Sequence, residues 1–386
     1  MHTRTTRRRG LALLTVPVIC AVSAALTSPP AWAATTWTQQ AELTASDHAG
    51  YQFYGTDVDY DGTTAIIGSD ANAAPGEAWI YTVSGSTWTE DAILTESAAS
   101  RCFGNAVAVS GATAIVTDPC YGSDAAAYVF TKSGGTWSKT ATLTVPDGNY
   151  FGSSVALEGG TAVIANNATN PEAYVFTMSR KGVWSQSATL TPTVSSNVTL
   201  GSFGGYAPTI ALSGSTVVIG APDSNVGSDY NNGAAYVFRA KGKRWSQVAE
   251  LTGSASADAF GSAVATDGST VVIGASGASK AYIYSVGRRG LSLATTLTGT
   301  SGDTFGFAVG VDGPNVIVGA RDGNTAYAYT SADSWANAQT LTPDSTYSPY
   351  EFGSAVAIHG ATAFIGADDT TIADSAEGSA YVFTLA

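Results

Sequence analysis

The sequence predicts an all-β protein, a seven-bladed β-propeller of four-stranded blades closed by its N-terminal strand. Three observations predict this fold. A Phe-Gly pair, with Tyr54 in the Phe position of the first copy, recurs at seven places about 50 residues apart, and a common series of three phrases follows these copies. A period of this length holds four short strands, and radial repetition of such units builds a propeller. The last phrase also occurs before the first Phe-Gly and is missing after the last one, as a closed ring requires.

The first 33 residues lie outside the repeat and have the pattern of a secretory signal peptide. A basic leader precedes an apolar stretch at residues 11–26 that Pro17 interrupts, and Ala31-Trp32-Ala33 fits a small-residue cleavage site. We therefore expect a signal peptide over 1–33 and one propeller domain over 34–386, secreted or associated with the cell surface. Gly10 favours ordinary secretion over twin-arginine export, but both routes stay open. No second hydrophobic span appears, so no transmembrane segment is expected.

A Trp followed by five residues and Leu predicts the outer strand of each blade. This phrase occurs at 37–43, 88–94, 137–143, 184–190, 245–251, 291–297 (with Leu291 in the Trp position) and 335–341. The first copy has no blade of its own, and the last blade ends at Thr384 without an outer strand. We expect residues 37–44 to pair with 380–384, because this pairing closes the ring and removes its free edges.

The three inner strands follow from the pattern of each unit. In the seventh unit they are predicted at 352–358, 361–366 and 379–384: an alternating strand, an apolar strand suited to burial on both faces, and a strand rich in aromatic and β-branched residues. Dipeptides such as Asp61-Gly62 and His359-Gly360 separate strands one and two, and their glycines supply the positive φ of a tight hairpin. The Phe-Gly glycines that open the units are Gly55 (after Tyr54), Gly104, Gly152, Gly204, Gly261, Gly306 and Gly353.

These phrases resemble the FG-GAP repeat family, which is named after Phe-Gly and Gly-Ala-Pro. Gly220-Ala221-Pro222 reproduces the second phrase in full, and Gly274-Ala275, Gly319-Ala320 and Gly366-Ala367 keep its first two residues. The resemblance covers nearly the whole chain after the leader. It implies an integrin-α-like propeller of the secreted bacterial kind, with a tendency toward ligand recognition or adhesion, and it implies no activity.

The calcium loop found in integrin-type copies is not expected here. Asp57, Asp59 and Asp61 approach the Asp-x-Asp-x-Asp-Gly pattern, but alignment on Gly55 places Val58 inside the first strand. Aspartates at alternate strand positions cannot surround an ion that needs six to eight oxygen ligands. We therefore expect no cofactor and interpret the three residues as a polar edge that lines the central channel or solvent.

Two cysteines remain after the leader, which contains Cys20. Cys102 precedes Phe103-Gly104 at the start of the second blade, and Cys120 follows the second strand of the same blade. These points are neighbours in an antiparallel hairpin, and an exported protein meets an oxidising compartment. A Cys102–Cys120 disulfide is predicted; two free thiols are the alternative.

Strand polarity sorts the connections into two faces. Loops from strand two to three and from strand four to the next blade are long and irregular, whereas the other turns are short. Binding residues ride on variable loops, so the long-loop face is the predicted ligand face. Its candidate residues are Asp47, Asp70, Asp223, Asn225, Asp229, Asp322, Asp368, Asp369 and Asp374.

The short-turn face carries a basic rim on blades three to five. Its residues are Arg180, Lys181, Lys241, Lys243, Arg244, Arg288 and Arg289. The charge division is compatible with recognition of a cation or basic partner on one face and an anionic surface on the other, and equally with simple solubility. The net charge of −13 disfavours nucleic acid as a partner.

The residues predict binding more than catalysis. The two histidines outside the leader, His48 and His359, lie in a loop and at a turn, and no metal-ligand spacing appears. We expect a monomeric, non-catalytic module that recognises a glycan, a cell-envelope polymer or a protein. A secreted hydrolase or lyase acting on a polysaccharide or lipid is the alternative, since propellers also carry enzymes and Asp368-Asp369 offers adjacent carboxylates.

Overall fold

A computed structural model describes residues 36–46, 53–70, 76–96, 100, 102–120, 125–146, 150–167, 172–196, 198–200, 209–288, 290–345, 347, 349–372 and 375–386. The predicted signal peptide and the candidate residues Asp47, Asp374 and Arg289 lie outside these ranges. Within them, no helix combines the length and the apolar character that crossing a bilayer requires.

The described chain forms seven four-stranded antiparallel sheets, which are the seven predicted blades. The closing strand is β1 (Trp37–Leu43). Blade one contains β2 (Tyr54–Tyr60), β3 (Thr64–Ser69), β4 (Glu77–Ser84) and β5 (Thr87–Leu94). Blade two contains β6 (Val107–Ser110), β7 (Thr113–Asp118), β8 (Ala126–Ser133) and β9 (Thr136–Leu143). Blade three contains β10 (Ser154–Glu158), β11 (Thr161–Ala165), β12 (Ala173–Met178) and β13 (Trp184–Leu190).

The fourth blade and its loops contain β14 (Val198–Thr199), β15 (Ile210–Ser213), β16 (Thr216–Ala221), β17 (Asn225–Val226), β18 (Ala234–Lys241) and β19 (Arg244–Thr252). Blade five contains β20 (Phe260–Thr266), β21 (Thr270–Ala275), β22 (Lys280–Gly287) and β23 (Gly290–Thr298). Blade six contains β24 (Phe305–Asp312), β25 (Asn315–Ala320), β26 (Thr325–Thr330) and β27 (Gln339–Leu341). The last blade and its loop contain β28 (Val356–His359), β29 (Thr362–Ala367), β30 (Thr371–Ile372), β31 (Ser375–Ala376) and β32 (Ser379–Leu385).

The N-terminal strand closes the ring, as predicted. β1 pairs antiparallel with β32, from Trp37 opposite Leu385 to Leu43 opposite Ala380. The side chain of Gln39 also clamps the preceding blade: its Nε2 donates to the Asp344 carbonyl oxygen at 2.8 Å, and its Oε1 accepts from the Asp344 N–H at 2.7 Å. The closing strand therefore contacts both the sixth and the seventh blade.

Backbone conformation explains the repeated Phe-Gly pair. The six Phe-Gly glycines that the structure describes have φ between 91° and 100°, a region that favours glycine. The residue before the pair also has a positive φ in five blades, at Phe53, Tyr150, Ala259, Thr304 and Glu351. The chain thus enters each of these blades through a tight left-handed bend, and the aromatic residue after the bend is buried.

The Phe-Gly and Gly-Ala phrases contact each other across blade boundaries. A Cβ added at Gly220 would lie 2.1 Å from the carbonyl oxygen of Gly261 in the next blade, and one at Gly274 would lie 2.0 Å from that of Gly306. Both distances are shorter than any real Cβ contact, so glycine is required for this close packing. The two phrases that define the repeat are the two sides of one interface.

Two predicted strands are shorter in the structure. The first strand of blade seven was expected at 352–358 but is extended only over Val356–His359, because Gly353, with φ 98°, bends the chain before it. The outer strand of blade six was expected at 335–341, but only Gln339–Leu341 is extended. Asp333 Oδ2 accepts hydrogen bonds from the backbone N–H of Asn337 at 3.2 Å and from its Nδ2 at 2.9 Å, and Trp335 has φ 65°. These local side-chain bonds compete with the strand ladder and shape a turn instead.

Candidate functional site

The structure gives the two faces the loop lengths that the sequence predicted. On the long-loop face, some loops form secondary structure of their own. β14 of the connection between blades three and four pairs with β17 of the strand two–three loop of blade four, and β30 pairs with β31 inside the corresponding loop of blade seven. Such pairing holds a loop in one shape and lowers the entropy lost when a ligand binds.

Exposed tyrosines collect on the long-loop face. Among the described residues, the large aromatic side chains classed as exposed are those of Tyr150, Tyr230, Tyr347 and Tyr350, with exposed fractions of 41, 75, 39 and 54 %. All four lie in loops from strand four to the next blade or from strand two to three. An exposed tyrosine offers a rigid, amphipathic contact surface, which is why tyrosine is enriched in binding interfaces.

One group of candidate residues lies on the blade-four loop that carries Tyr230. Asp223 and Asp229 are exposed. The side chain of Asn225 is used internally, because its Oδ1 accepts from the backbone N–H of Asn231 at 2.8 Å. Asn232 Oδ1 likewise accepts from the N–H of Val226 at 3.1 Å. The asparagines shape the loop, and Asp223, Asp229 and Tyr230 reach solvent.

A second group lies where blades six and seven meet. Arg321 Nε is 3.2 Å from Asp322 Oδ1 and 3.9 Å from Glu351 Oε1. The Arg321 guanidinium also lies over the Phe307 ring, 4.2 Å from its centre. The aromatic ring and the two carboxylates stabilise one cation from different sides.

Asp368 joins this second group. Burial, and after it the neighbouring Glu351 carboxylate, raise the pKa of Asp368 to about 7. Hydrogen bonding to the Ser354 hydroxyl acts in the opposite direction and favours the ionised form of Asp368. A carboxyl that shares its site with a second carboxylate near neutral pH is a recurring feature of acid–base and cation sites.

The remaining candidates do not join these groups. Asp70 follows β3 and accepts from Asn105 Nδ2 at 3.5 Å, and Asp369 is half-buried beside Asp368. The candidate acids are therefore divided among separate blades.

Asp57 and Asp59 of β2, together with Asp61 just after this strand, bond to the next blade. Asp57 and Asp59 accept the backbone N–H groups of Val107 and Val109, each at 2.8 Å. Asp61 accepts that of Gly111 at 2.5 Å. The alternate placement on a strand holds for Asp57 and Asp59, and both line the central channel, one of the two positions expected for this polar edge; Asp57 is buried there. The neighbouring inner strand presents its N–H groups with the same two-residue period, and each needs an acceptor.

The central channel is narrow. Inner strands of the blades line a cavity of about 180 Å³, and Asp57 and Asp59 contribute the acidic groups on its wall. Burial, opposed by the backbone hydrogen bonds, raises the pKa of Asp57 to about 8 and that of Asp59 to about 6. Both carboxyl groups already accept two backbone N–H groups, so they are structural.

The predicted disulfide is present. Cys102 and Cys120 are bonded, with their Cα atoms 5.5 Å apart. Ser100 supports this loop: its hydroxyl accepts the Cys102 N–H at 3.0 Å and donates to Asp118 Oδ1. Asp118 also lies near both sulfurs, but bonded sulfurs are not thiolate ligands for a metal.

The basic rim lies on the hairpin tips of blades three to five. Its described members, Arg180, Lys181, Lys241, Lys243, Arg244 and Arg288, are exposed. The ion pairs found in the described part of the chain belong to Lys132, Lys139 and Arg321 instead. Rim cations therefore have no carboxylate partner among the described residues.

Sequence reasoning missed the exposed tyrosines and the grouping of Arg321, Glu351 and Asp368. The tyrosines could have been found, because aromatic residues in long polar loops contrast with the buried aromatics of the strands. The grouping had no sequence signal, since its members come from two blades.

Comparison with known proteins agrees with the geometry. The FG-GAP repeat family matches residues 37–81, 245–285 and 335–383. The chain is an FG-GAP-like propeller. Each match starts at an outer-strand Trp and ends in or just after the third strand of the following blade, the same offset that closes the ring.

Similar solved structures share the fold alone. A crystal structure of a protein from Lactobacillus plantarum is 15 % identical with a TM-score of 0.53, and the match covers 83 % of this chain and 99 % of that one. Saccharomyces cerevisiae Sqt1 is 12 % identical with a TM-score of 0.52, covering 90 % and 100 %. The search of curated proteins found no match.

Proposed function

We propose that this FG-GAP-like propeller is a secreted, monomeric binding module. It recognises a glycan, a cell-envelope polymer or a protein through the long-loop face and uses no cofactor. Among the described residues, the exposed tyrosines all lie on that face, and this placement carries the proposal because tyrosine is enriched in binding interfaces. The acids on the same loops supply hydrogen-bond acceptors around the aromatic contacts.

A binding array of glycans and whole cells tests this proposal with the mature protein and two tyrosine variants, Tyr230→Ala and Tyr350→Ala. Loss of about tenfold in affinity is expected from at least one of them, as for an interface anchor. Leu293→Ala is the matched control, because Leu293 is 54 % exposed like Tyr350 but lies on the outer strand β23. Equal effects of the tyrosine and leucine variants would contradict the assignment of the face.

The junction of blades six and seven supports a second candidate function, a hydrolase or lyase acting on a polysaccharide or lipid. Asp368, with its pKa near neutrality, would act as the general acid beside the Glu351 carboxyl group. A substrate screen with and without divalent ions distinguishes this function from binding by turnover. Asp368→Asn and Glu351→Gln should each abolish product formation, whereas Asp369→Asn should retain it. Product formation that survives both substitutions would place catalysis elsewhere.

A further inference from the structure

A groove opens between blades three and four on the short-turn face, opposite the loops considered above. Its volume is about 680 Å³, within the range of roughly 300–1,000 Å³ typical of ligand pockets. Blade three lines it with hydroxyl and amide groups of Thr177, Ser185, Gln186 and Ser187, and blade four contributes Lys243 and Trp245. None of the described lining residues is acidic.

The outer-strand position that precedes Trp245 across the blade boundary carries a short side chain, Ser187. At two other blade boundaries, the outer-strand tryptophan donates its indole N–H to the preceding outer strand: Trp88 to Gln40 at 3.2 Å, and Trp137 to Asp91 at 2.8 Å. Ser187 occupies the corresponding place before Trp245. Its hydroxyl turns away and donates to the Val175 carbonyl oxygen at 3.1 Å. The acceptors that Gln40 and Asp91 supply at those two boundaries are therefore missing here; Thr140, in the same place before Trp184, also bonds a backbone carbonyl of its own blade.

The indole N–H of Trp245 consequently has no hydrogen-bond acceptor among the described residues. Its ring packs partly against the apolar core of blades three and four and is half-exposed. An aromatic surface beside an unused donor and several hydroxyl groups matches a sugar ring, which combines apolar C–H faces with hydroxyl groups.

The positively charged residues around the groove indicate that the sugar it binds is anionic. Lys243 lies at the groove, and the adjoining hairpin tips carry Arg180, Lys181, Lys241 and Arg244, all exposed. Glu158, the carboxylate next to this region, is already engaged by the backbone N–H of Gly214. A cluster of unpaired cations around a groove without acids attracts an anionic ligand.

We propose that this groove binds an acidic polysaccharide, whose sugar rings carry carboxylate or sulfate groups. One ring stacks on Trp245, its hydroxyls bond to Ser185 and Gln186, and its acidic group pairs with Lys243. Neighbouring rings follow the cations of the rim. This site lies on the opposite face from the proposed ligand loops, so the two sites can be tested separately.

Ser187→Gln is the decisive variant, because it fills the groove instead of truncating a side chain. The new amide should accept the Trp245 indole N–H, as Gln40 accepts that of Trp88, and leave thermal stability equal or higher. Isothermal titration with an oligogalacturonate and with a heparin-derived oligosaccharide distinguishes carboxylate from sulfate. We expect Ser187→Gln and Trp245→Ala to weaken binding of the preferred oligosaccharide at least about tenfold. Lys243→Gln should weaken it and reduce its salt dependence.

Matched controls are Lys280→Gln, which removes one positive charge at the start of β22 on the long-loop face, and Trp137→Ala, which alters another blade boundary. Both should bind like the unaltered protein. Wild-type affinity in Ser187→Gln would overturn the proposal. Equal binding of a DNA oligonucleotide would show a general polyanion surface and would also overturn it, as would failure to bind either oligosaccharide.

Discussion

Gly366 of the last blade packs directly against the backbone of Gly55 in the first blade, where the ends of the ring meet. A Cβ added at Gly366 would lie 2.2 Å from the carbonyl oxygen of Gly55. The same contact recurs between Gly220 and Gly261 inside the ring. The junction that closes the propeller is therefore built like the boundaries between consecutive blades, and only the chain connection differs.

Gly366→Ala should destabilise the protein, because the added methyl group meets backbone that cannot rotate away. We expect the free energy of unfolding to fall by about 1–3 kcal/mol, as for an overpacked core. Gly287→Ala is the matched control: its Cβ would meet its nearest neighbour at 3.5 Å, so a change within about 0.5 kcal/mol is expected. Urea denaturation measures both variants. A similar loss of unfolding free energy in the two variants would contradict the close contact between Gly366 and Gly55.

Removal of residues 34–45 should sharply lower the melting temperature. The truncation deletes β1, exposes the edge of β32 and removes the Gln39 clamp on Asp344. Thermal unfolding by circular dichroism measures the effect. A chain that lacks only residues 34–35 keeps β1 and should melt like the mature protein. Unchanged melting of the longer truncation is incompatible with closure by the N-terminal strand.

Stability should decrease as the pH rises from about 4 to about 8. Burial raises the pKa of Asp57 to about 8 and that of Asp59 to about 6, above the ordinary value of 3.8. The folded protein then holds more protons than the unfolded chain across this range, so deprotonation favours unfolding. Each group contributes at most about 1.4 kcal/mol per pH unit between its two pKa values.

Asp57→Asn and Asp59→Asn should therefore flatten the dependence of the unfolding free energy on pH, whatever their absolute stabilities. Asp267→Asn alters a turn aspartate that bonds its own loop and should leave the slope intact. Urea denaturation at several pH values provides the comparison. A slope that persists in the double variant Asp57→Asn/Asp59→Asn would assign the pH dependence to other groups.

The Cys102–Cys120 disulfide should stabilise blade two against unfolding. Thiol titration of secreted, denatured and unreduced protein is expected to find no free thiol. The double variant Cys102→Ser/Cys120→Ser should lose roughly 3 kcal/mol of unfolding free energy, because the bond closes a loop with a sequence separation of 18. Two reactive thiols in the unaltered protein would refute the pairing.

Local patterns in the sequence were sufficient to predict the strands, the blade number and the closing strand. The turn glycines, the alternating first strand and the buried second strand depend on residues a few positions apart, and seven copies reinforce each signal. The same patterns predicted the Cys102–Cys120 pairing, since one hairpin brings both residues together. In blade six the predicted outer strand 335–341 was too long, because hydrogen bonds between Asp333 and Asn337 compete with strand pairing.

What the tertiary structure alone decided concerns residues whose partners belong to the next blade. In the sequence, Asp57 resembles part of a metal-binding loop. In the structure its carboxylate accepts the backbone N–H of Val107, which lies 50 residues further along the chain. In the sequence, Ser187 is an ordinary outer-strand residue. In the structure its hydroxyl bonds to Val175 and does not accept the indole N–H of Trp245. Asp368 has a raised pKa only because the fold buries it near Glu351. Sequence periodicity specifies each blade, but burial, charge and open space at a boundary depend on two blades at once.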